Sequence, residues 1–312
     1  MGLPESVIAC ECWARDGLQS MPVLVSTDDK VEMLNRIVRA GFKKLEVTSF
    51  SHPKLLPQFA DATDVLKRIE RRAGVSYVVL MPNTRGFDRF EVCVKEGYGA
   101  DEMILMTSSS EKHNHLNFRM LHTEAMAEHA GIMRRAHGLG VKIIGCAGTV
   151  YGCPVNGDIT TGEVAKIVRF YLDEGAQTIM LGDTTGVANP TLVRERVGEL
   201  MAMFPGVEFI THFHDTRGSG IVNSVAMLEL GVRYVDCSIG AIGGAAGHRR
   251  RQVLRGLHGE YLQRGPARAD RGDGRGHRDR HRRAHRSRPP RRGNPRPAAP
   301  IERDPQRPGH PR

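Results

Sequence analysis

Short apolar runs alternate with longer amphipathic stretches along residues 1–244, and this alternation most constrains the fold. The runs recur every 26–38 residues. Several amphipathic stretches open with a Ser or Thr cap and end in a Gly, as helices do. Strands separated by helical crossovers run parallel, so the sequence predicts an α/β fold. The predicted strands are residues 7–12, 43–48, 76–81, 103–107, 141–147, 178–181, 208–212 and 234–239, and the predicted helices are residues 28–40, 61–71, 86–96, 123–137, 161–174, 190–204 and 220–230.

Eight predicted strands favour a closed barrel over an open, doubly wound sheet. No G-x-G-x-x-G motif follows the first strand, and polar residues crowd the C-terminal ends of most strands. Barrel enzymes build their active sites at those ends. We therefore expect a TIM (β/α)8 barrel as the catalytic domain, residues 1–244, with its active site at the C-terminal ends of the strands.

The composition changes abruptly after Gly244. Residues 245–312 contain 20 Arg, no Lys and 6 acidic residues, whereas residues 1–244 carry a small net negative charge. Few aliphatic residues are available there to pack against a core. We predict an Arg/Pro-rich disordered tail, with the last barrel helix and the C-terminal cap missing or replaced by it. Because the basic charge is confined to this tail, nucleic acid is not expected as a partner.

The cysteine spacing and the absence of long apolar runs indicate a cytoplasmic protein. The six cysteines form no C-x-x-C pair and no zinc-finger spacing, which indicates reduced thiols. No apolar run approaches the roughly 18 residues of a membrane helix, and the N-terminus lacks the apolar core of a signal peptide. We expect no membrane partner.

Two local motifs could hold a metal ion. Alternate strand residues point to the same face, so His212 and His214 can reach one divalent ion while Phe213 faces the packing. An isolated His-x-His is more often a pair of hydrogen-bonded or surface histidines. Arg15 and Asp16, at the end of the first strand, form either a structural ion pair or part of a two-His, one-carboxylate site. In such a site, Arg15 would face negative charge that develops on the substrate.

Further carboxylates and hydroxyls lie at other strand ends. Glu46, Thr48 and Ser49 lie at the end of the second predicted strand, and Asp183 and Thr184 follow the sixth. A carboxylate in an apolar strand end is costly unless it is paired, so each is either a partner of the arginine or a proton-transfer group. The third and fourth strand ends add polar residues to this expected ring: Asn83, Ser108, Glu111 and Asn114.

Taken in order, these motifs resemble those of the DRE-type TIM-barrel metallolyases, and in particular the 3-hydroxy-3-methylglutaryl-CoA lyases. The resemblance runs through residues 5–244. The RDGLQ and Thr-Ser-Phe forms are closer to the lyases than to the related isopropylmalate and homocitrate synthases. The matching segments are residues 15–19 (RDGLQ), 45–50 (LEVTSF), 53–54 (PK), 57–58 (PQ), 152–154 (GCP), 181–184 (LGDT), 212–216 (HFHDT) and 235–238 (VDCS), with the glycine pair at 243–244.

The resemblance implies a site and a reaction. Asp16, His212 and His214 would be ligands of Mg²⁺ or Mn²⁺, and His212 would also take part in proton transfer. Arg15 would stabilise the enolate of the departing acetyl-CoA. The implied reaction is a retro-Claisen cleavage of an acyl-CoA to acetyl-CoA and acetoacetate, as in leucine degradation, by a protein that could form a homodimer. Glu46 and Asp183 would lie around the substrate hydroxyl, and the expected substrate contacts are Gln19, Thr48, Ser49, Asn83 and Thr184.

The segment after Gly244 departs from the family pattern. The family continues its glycine pair with a Cys and then a Gly-Asn segment whose Asn is a fourth metal ligand, whereas this chain continues Ala-Ala-Gly-His-Arg. A frameshift in GC-rich coding DNA, which encodes Arg, Pro, Gly, Ala and His out of frame, would explain the change. Two alternatives stay open: a related acyl-CoA lyase, aldolase or Claisen-type synthase of the superfamily, and an inactive barrel with an anion-binding basic tail.

Overall fold

Eight parallel strands close into one barrel. The computed structural model describes residues 2–244. Each strand pairs with the next along the chain, and β1 closes the barrel by pairing with β8, from Ile8 opposite Tyr234 to Glu11 opposite Cys237. The predicted (β/α)8 barrel is confirmed. The strands are β1 (Ile8–Glu11), β2 (Lys44–Ser49), β3 (Ser76–Leu80), β4 (Glu102–Ser108), β5 (Lys142–Gly148), β6 (Thr178–Asp183), β7 (Glu208–Phe213) and β8 (Tyr234–Cys237).

The seven predicted helices are present, with bounds that differ by at most three residues. Four elements of the described residues were not predicted, namely α4 (Glu111–Phe118), a single π-helical turn at Trp13–Gly17, and two 3-10 turns at Pro57–Phe59 and Ile239–Ala241. In α4 only Asn114 is buried, so no apolar stripe marks this helix in the sequence. The helices are α1 (Thr27–Arg39), α2 (Ala62–Arg68), α3 (Thr84–Lys95), α4 (Glu111–Phe118), α5 (His122–Gly138), α6 (Thr161–Asp173), α7 (Pro190–Met203) and α8 (Gly220–Glu229).

Capping residues determine where α1 and α6 begin. Ser26 Oγ accepts the Asp29 amide at 3.1 Å. At α6, Thr160 Oγ1 accepts the Glu163 amide at 3.2 Å, and Glu163 Oε2 accepts the Thr160 amide at 2.7 Å. Each contact satisfies an amide that the first helical turn leaves without a partner. The sequence predicts both starts, and these contacts confirm them.

Alternate strand residues separate two apolar layers. One set faces the interior of the barrel and forms a small cluster: Val78, Ile104, Ile144, Cys146, Met180 and Ile210. The residues between them pack against the helices in a much larger outer core, for example Ile179 and Leu181 on either side of Met180. The same alternation continues into the polar residues at the end of each strand. Only those on the inward-facing positions can reach the centre of the barrel mouth.

A polar triad lies buried between β4, α5 and α6. Thr107 Oγ1 and Tyr171 OH are 2.9 Å apart, and His129 Nδ1 lies 3.0 Å from the Tyr171 OH. Tyr171 packs so closely over Gly145 that a Cβ atom there would overlap the ring. Burial lowers the pKa of His129 to about 4, so its imidazole is neutral in the folded protein at pH 7.

Among the eight strands, β8 is the least covered. All four of its residues are half-buried, whereas all six residues of β2 are buried. The neighbouring α8 exposes Ile221, Val222 and Val225. The predicted disordered tail and missing last helix concern residues 245–312, which lie outside the described residues.

The described residues, 2–244, include all six cysteines and can be compared with the expectations of reduced thiols and no membrane helix. All six cysteines are free thiols, and five of them are buried, as the spacing predicts. No helix in this part of the chain is both long enough and apolar enough to cross a bilayer.

We predict that His129 makes the protein less stable as the pH falls from 6.5 toward 4. In this interval the unfolded chain binds a proton on His129 and the folded chain does not, which lowers the free energy of unfolding by roughly 1.4 kcal/mol per pH unit, or about 2 kcal/mol at pH 5. Urea unfolding at pH 7 and pH 5 measures this loss, and His129→Gln should remove it. Replacement of the exposed His115 by Gln is the control. The same pH dependence in wild type and His129→Gln would contradict the assignment.

Candidate active site

One π-helical turn after β1 places Arg15 and Asp16 at the mouth of the barrel. The turn spans Trp13–Gly17, and both side chains are buried, with the residues 7% and 6% exposed. Glu11 anchors the turn, because its Oε1 accepts the first amide of the turn at 2.8 Å and the Ile239 amide at 3.0 Å. This carboxylate therefore ties the end of β1 to the segment after β8. Turns of this kind are rare and occur often at functional sites.

Two buried carboxylates share the Arg15 guanidinium. Nη1 donates to Asp16 Oδ1 at 2.9 Å, and Nε donates to Glu46 Oε2. Burial alone would raise the pKa of Asp16, but the charge of Arg15 and the contact with His214 outweigh it and hold that pKa well below its usual range. Burial would likewise lower the pKa of Arg15, and the two carboxylates more than offset it. Arg15 and Asp16 are therefore both ionised.

His212 and His214 point their Nε2 atoms at one place beside Asp16. The two Nε2 atoms are 3.1 Å apart, and Asp16 Oδ2 lies 3.6 Å from His214 Nε2. Each Nδ1 has its own acceptor, because His214 Nδ1 donates to the Thr184 carbonyl at 2.9 Å and His212 Nδ1 donates to Asp236 Oδ2 at 2.7 Å. Both rings therefore present Nε2 as the ligand atom.

Asp236 is a site residue to which the sequence analysis assigned no role. It lies on β8 opposite Cys10, and its side chain is 4% exposed. Burial alone would lower the pKa of His212, but the hydrogen bond to Asp236 and the charges of Asp236 and Asp16 raise it to about 9. Strand alternation could have found this residue, because Asp236 shares a face of β8 with Tyr234, which packs on the interior cluster. A carboxylate on that face requires a partner.

The mouth of the barrel carries more negative than positive charge. Asp16, Glu46 and Asp236 are buried carboxylates, and Arg15 is the arginine that pairs with the first two. With neutral histidines, these four residues have an excess of two negative charges. A buried site cannot hold such an excess without compensation, which either protons or a divalent cation can supply.

The donor set fits a divalent metal ion. The ligand atoms of Asp16, His212 and His214 lie within 4.8 Å of one another, and Glu46, His212 and Asp236 form a second, overlapping group. The 3.1 Å between the two Nε2 atoms is close to the spacing of about 3.0 Å between neighbouring ligands around an octahedral ion with bonds of ~2.1 Å. In the metal-free protein, a proton on His212 makes this contact a hydrogen bond. A cation would take the place of that proton.

One carboxylate oxygen of Glu46 is free to accept a proton. Oε2 is held by Arg15, whereas Oε1 is buried and has no hydrogen-bond partner in the part of the chain that the structure describes. Burial raises the pKa of Glu46, and the charge of Arg15 offsets this only in part. A buried, unpartnered oxygen beside a metal site suits a group that accepts a proton from a bound hydroxyl.

Asp183 is not brought into this cluster. Its Oδ1 accepts the Val187 amide at 2.9 Å and its Oδ2 accepts the Ala188 amide at 3.2 Å, so both oxygens hold the loop after β6. Asp183 lies on the same face of β6 as Ile179 and Leu181, which pack in the outer core. These contacts give Asp183 a structural role in this loop, and its expected place beside the substrate hydroxyl stays a prediction.

Three residues of the expected rim have structural contacts instead. Asn83 caps α3, because its side chain accepts an amide of that helix at 2.9 Å. Asn114 is fully buried, and its amide oxygen accepts the Ser108 amide at 3.1 Å. Glu111 is exposed at the start of α4, and its Oε1 accepts the His122 amide at 3.2 Å. At the ends of β3 and β4, these side chains therefore stabilise helix starts and turns.

The remaining predicted substrate contacts lie near the barrel mouth. Thr48 is buried after a register shift in β2, and Ser49 Oγ lies 2.7 Å from Ser51 Oγ. Gln19 is half-buried just after the π-helical turn. Thr184 supplies the carbonyl that orients His214. The substrate contacts of these residues, and of Asn83, stay predictions.

The glycine pair at the end of the described chain closes over Asp16. The Gly244 amide donates to Asp16 Oδ2 at 3.1 Å, and a Cβ atom at Gly243 would lie 2.7 Å from the same oxygen. Gly243 also has a φ of 127°, which L side chains rarely adopt. The Cys and Asn that the family pattern leads one to expect belong beyond this pair, outside the described residues.

A family model described as HMGL-like matches residues 6–254. The chain belongs to the HMGL-like family. The matched range contains Arg15, Asp16, Glu46, both histidines and Asp236, so the whole buried cluster lies within it. The family resemblance read from the sequence motifs is thereby confirmed.

Curated relatives match most of the chain. Hydroxymethylglutaryl-CoA lyase YngG of Bacillus subtilis is 36% identical over 244 residues, which cover 78% of this chain and 80% of the relative. The mitochondrial hydroxymethylglutaryl-CoA lyase of Homo sapiens is 33% identical over 242 residues, which cover 78% and 73%. These relatives are lyases, in agreement with the enzyme class predicted from the sequence.

Solved structures match the fold over the same region. The HMG-CoA lyase of Bacillus subtilis superposes with a TM-score of 0.74 at 36% identity, covering 78% of this chain and 80% of that one. An HMG-CoA lyase from Acinetobacter baumannii, solved in complex with coenzyme A and 3-methylmalate, superposes with a TM-score of 0.72 at 29% identity, covering 86% and 98%.

We predict that Asp236→Asn weakens Mn²⁺ binding by about 10–100-fold, because the amide keeps the size of the side chain but removes the charge that orients His212 and raises its basicity. Electron paramagnetic resonance titration with Mn²⁺ measures the change. Asp64→Asn, at an exposed position of α2, is the matched control and should bind as wild type does. Equal affinity for wild type and Asp236→Asn would show that Asp236 does not support the site.

Proposed function

We propose that this chain cleaves 3-hydroxy-3-methylglutaryl-CoA, or a closely similar 3-hydroxyacyl-CoA, to acetyl-CoA and acetoacetate. The buried cluster of Asp16, His212 and His214 beside Arg15, in a chain of the HMGL-like family, carries the proposal. The relatives above are named hydroxymethylglutaryl-CoA lyases, and the Acinetobacter structure holds coenzyme A and a small hydroxy acid. Both observations support a carbon–carbon lyase that acts on an acyl-CoA.

Asp16 Oδ2 and the Nε2 atoms of His212 and His214 would hold the metal ion. A carboxylate and two imidazoles, with further positions left open, suit a divalent ion. We propose Mg²⁺ or Mn²⁺, the ions that the family resemblance implies. When bound, such an ion acts as a Lewis acid on oxygen atoms of the substrate and offsets the excess of buried carboxylate charge.

Glu46 is the proposed base for the hydroxyl proton of the substrate. Its Oε1 is unpartnered, and its raised pKa allows it to keep the proton. His212, backed by Asp236, is the second group that can hold a proton here. As the hydroxyl loses its proton, its oxygen forms the ketone of acetoacetate and the adjacent carbon–carbon bond breaks. The electron pair of that bond passes to the departing acetyl-CoA as an enolate.

Arg15 is proposed to stabilise this enolate. Glu46 and Asp16 accept two of the five guanidinium N–H donors and fix its plane, which leaves donors for the enolate oxygen. A donor that is already in place when negative charge develops lowers the barrier without reorganisation. Return of one proton to the enolate carbon then yields acetyl-CoA and balances the reaction.

Three finer expectations remain part of the proposal. They are a cytoplasmic location, a place in leucine degradation and a homodimer. The identity of the acyl group follows from comparing hydroxymethylglutaryl-CoA with other 3-hydroxyacyl-CoA substrates in one assay.

The full chain, incubated with Mg²⁺ or Mn²⁺ and hydroxymethylglutaryl-CoA, is expected to release acetoacetate, and EDTA should abolish the release until metal is restored. Asp16→Ala and His212→Ala should reduce turnover to background while the circular dichroism spectrum is retained, because each removes a metal ligand. Asp64→Ala is the exposed control and should keep full activity. Turnover of either ligand variant at the wild-type rate would remove the metal assignment. Metal binding without acetoacetate would reject the substrate.

Arg15→Lys should lower kcat by about 10²–10³-fold with little change in KM, because lysine keeps the charge but loses the planar fork that serves two carboxylates and the enolate together. Steady-state kinetics on hydroxymethylglutaryl-CoA separates the two constants. Arg39→Lys, at an exposed ion pair of α1, is the matched control. A rise in KM alone would indicate that Arg15 binds substrate without stabilising the transition state.

A further inference from the structure

We propose that Thr149, at the end of β5, is a positioning residue for the metal site: its left-handed backbone holds Thr184, and Thr184 orients His214. The proposal rests on the proposed metal-dependent function and adds a residue that does not touch the ligand atoms. The property that Thr149 is proposed to affect is the affinity of the site for a divalent ion.

Thr149 has a backbone conformation that β-branched residues rarely adopt. Its φ is 54°, and the residue is fully buried. Left-handed conformations bring Cβ too close to the following carbonyl, and a side chain branched at Cβ makes this worse. Such strained positions persist only where several contacts hold them, and they cluster at functional sites.

Three hydrogen bonds hold Thr149 in this conformation. Its amide donates to Thr184 Oγ1 at 2.9 Å. Its own Oγ1 lies 2.8 Å from Ser108 Oγ and accepts the Ser110 amide at 3.3 Å. The hydroxyl thus joins the end of β5 to the end of β4, and the amide joins it to the end of β6.

Thr184 connects Thr149 to the proposed metal ligand His214. Its hydroxyl is held by the Thr149 amide, and its carbonyl accepts His214 Nδ1 at 2.9 Å. The space beside this hydroxyl is also closed, because a Cβ atom at Gly148 would lie 3.1 Å from Thr184 Oγ1. With the side chain and carbonyl of Thr184 both anchored, the ring of His214 is fixed with Nε2 toward Asp16.

This arrangement separates the backbone role of Thr149 from a packing role. Glycine adopts φ near 54° without strain and keeps the amide, so Thr149→Gly preserves the contact with Thr184 although it leaves a cavity. Valine keeps the shape and the strain but loses both hydrogen bonds of Oγ1, so Thr149→Val releases the backbone and withdraws its amide. If Thr149 served packing alone, Thr149→Gly would weaken Mn²⁺ binding more than Thr149→Val.

The test is Mn²⁺ affinity of the full chain, measured by electron paramagnetic resonance without substrate. We expect Thr149→Val to weaken binding by about 10–100-fold, and Thr149→Gly and Thr149→Ser to stay within about threefold of wild type. In thermal melting of the metal-free proteins, Thr149→Gly should have the lowest melting temperature of the three variants, because it loses the most packing. Wild-type affinity in Thr149→Val, or an equal loss in Thr149→Gly, would overturn the proposal.

Thr184→Val provides an independent arm in case Thr149→Val fails to fold. It removes the acceptor of the same hydrogen bond from an unstrained position and should weaken Mn²⁺ binding by about tenfold or more. Unchanged affinity in this variant would also overturn the proposal. If wild type binds Mn²⁺ but cleaves no hydroxymethylglutaryl-CoA, the proposed substrate fails and the role of Thr149 stands. If wild type binds no Mn²⁺, both fail.

Discussion

The excess of negative charge buried at the mouth of the barrel is the constraint on which the rest of the site depends. Asp16, Glu46 and Asp236 come from three separate elements, and Arg15 alone neutralises one of their charges. Buried carboxylates so close together persist only if something positive lies among them. In the metal-free chain a proton on His212 takes part of this role, and a divalent cation would take all of it. The same charges would thus hold the ion and orient the groups around it.

The site is assembled across the seam that closes the barrel. Asp16 follows β1, His212 lies on β7 and His214 directly after it. Asp236 belongs to β8, which pairs with β1 over four residues. Glu11 reinforces this seam by accepting amides from both sides of it. Because β8 is also the least covered strand, the stability of the seam and the integrity of the site are linked. A ligand that binds only the closed barrel would stabilise it by mass action.

Much of the fold could be predicted from the sequence, because apolar alternation and caps are local signals. The strands and seven helices follow from such signals, and the proposed ligands Asp16, His212 and His214 follow from motif order. The loop contacts of Asp183 could not be predicted, because a carboxylate at a strand end looks the same in the sequence whether it faces the barrel interior or accepts loop amides. Thr149 could not be assigned a role, since its contacts lie on other strands. The alternation of β8 indicates that Asp236 faces the barrel interior, but it does not identify His212 as its partner. The helix α4 lacks an apolar stripe.

The site proposed above requires that Asp16, His212 and His214 hold one divalent ion. The most direct measurement is a crystal structure of the full chain grown with Mn²⁺, with anomalous diffraction recorded at the manganese edge. We expect one strong peak within bonding distance of Asp16 Oδ2 and both Nε2 atoms, with Asp236 still accepting a hydrogen bond from Nδ1 of His212. A peak at another place, or no peak while the chain cleaves its substrate at full rate, would contradict this ligand assignment.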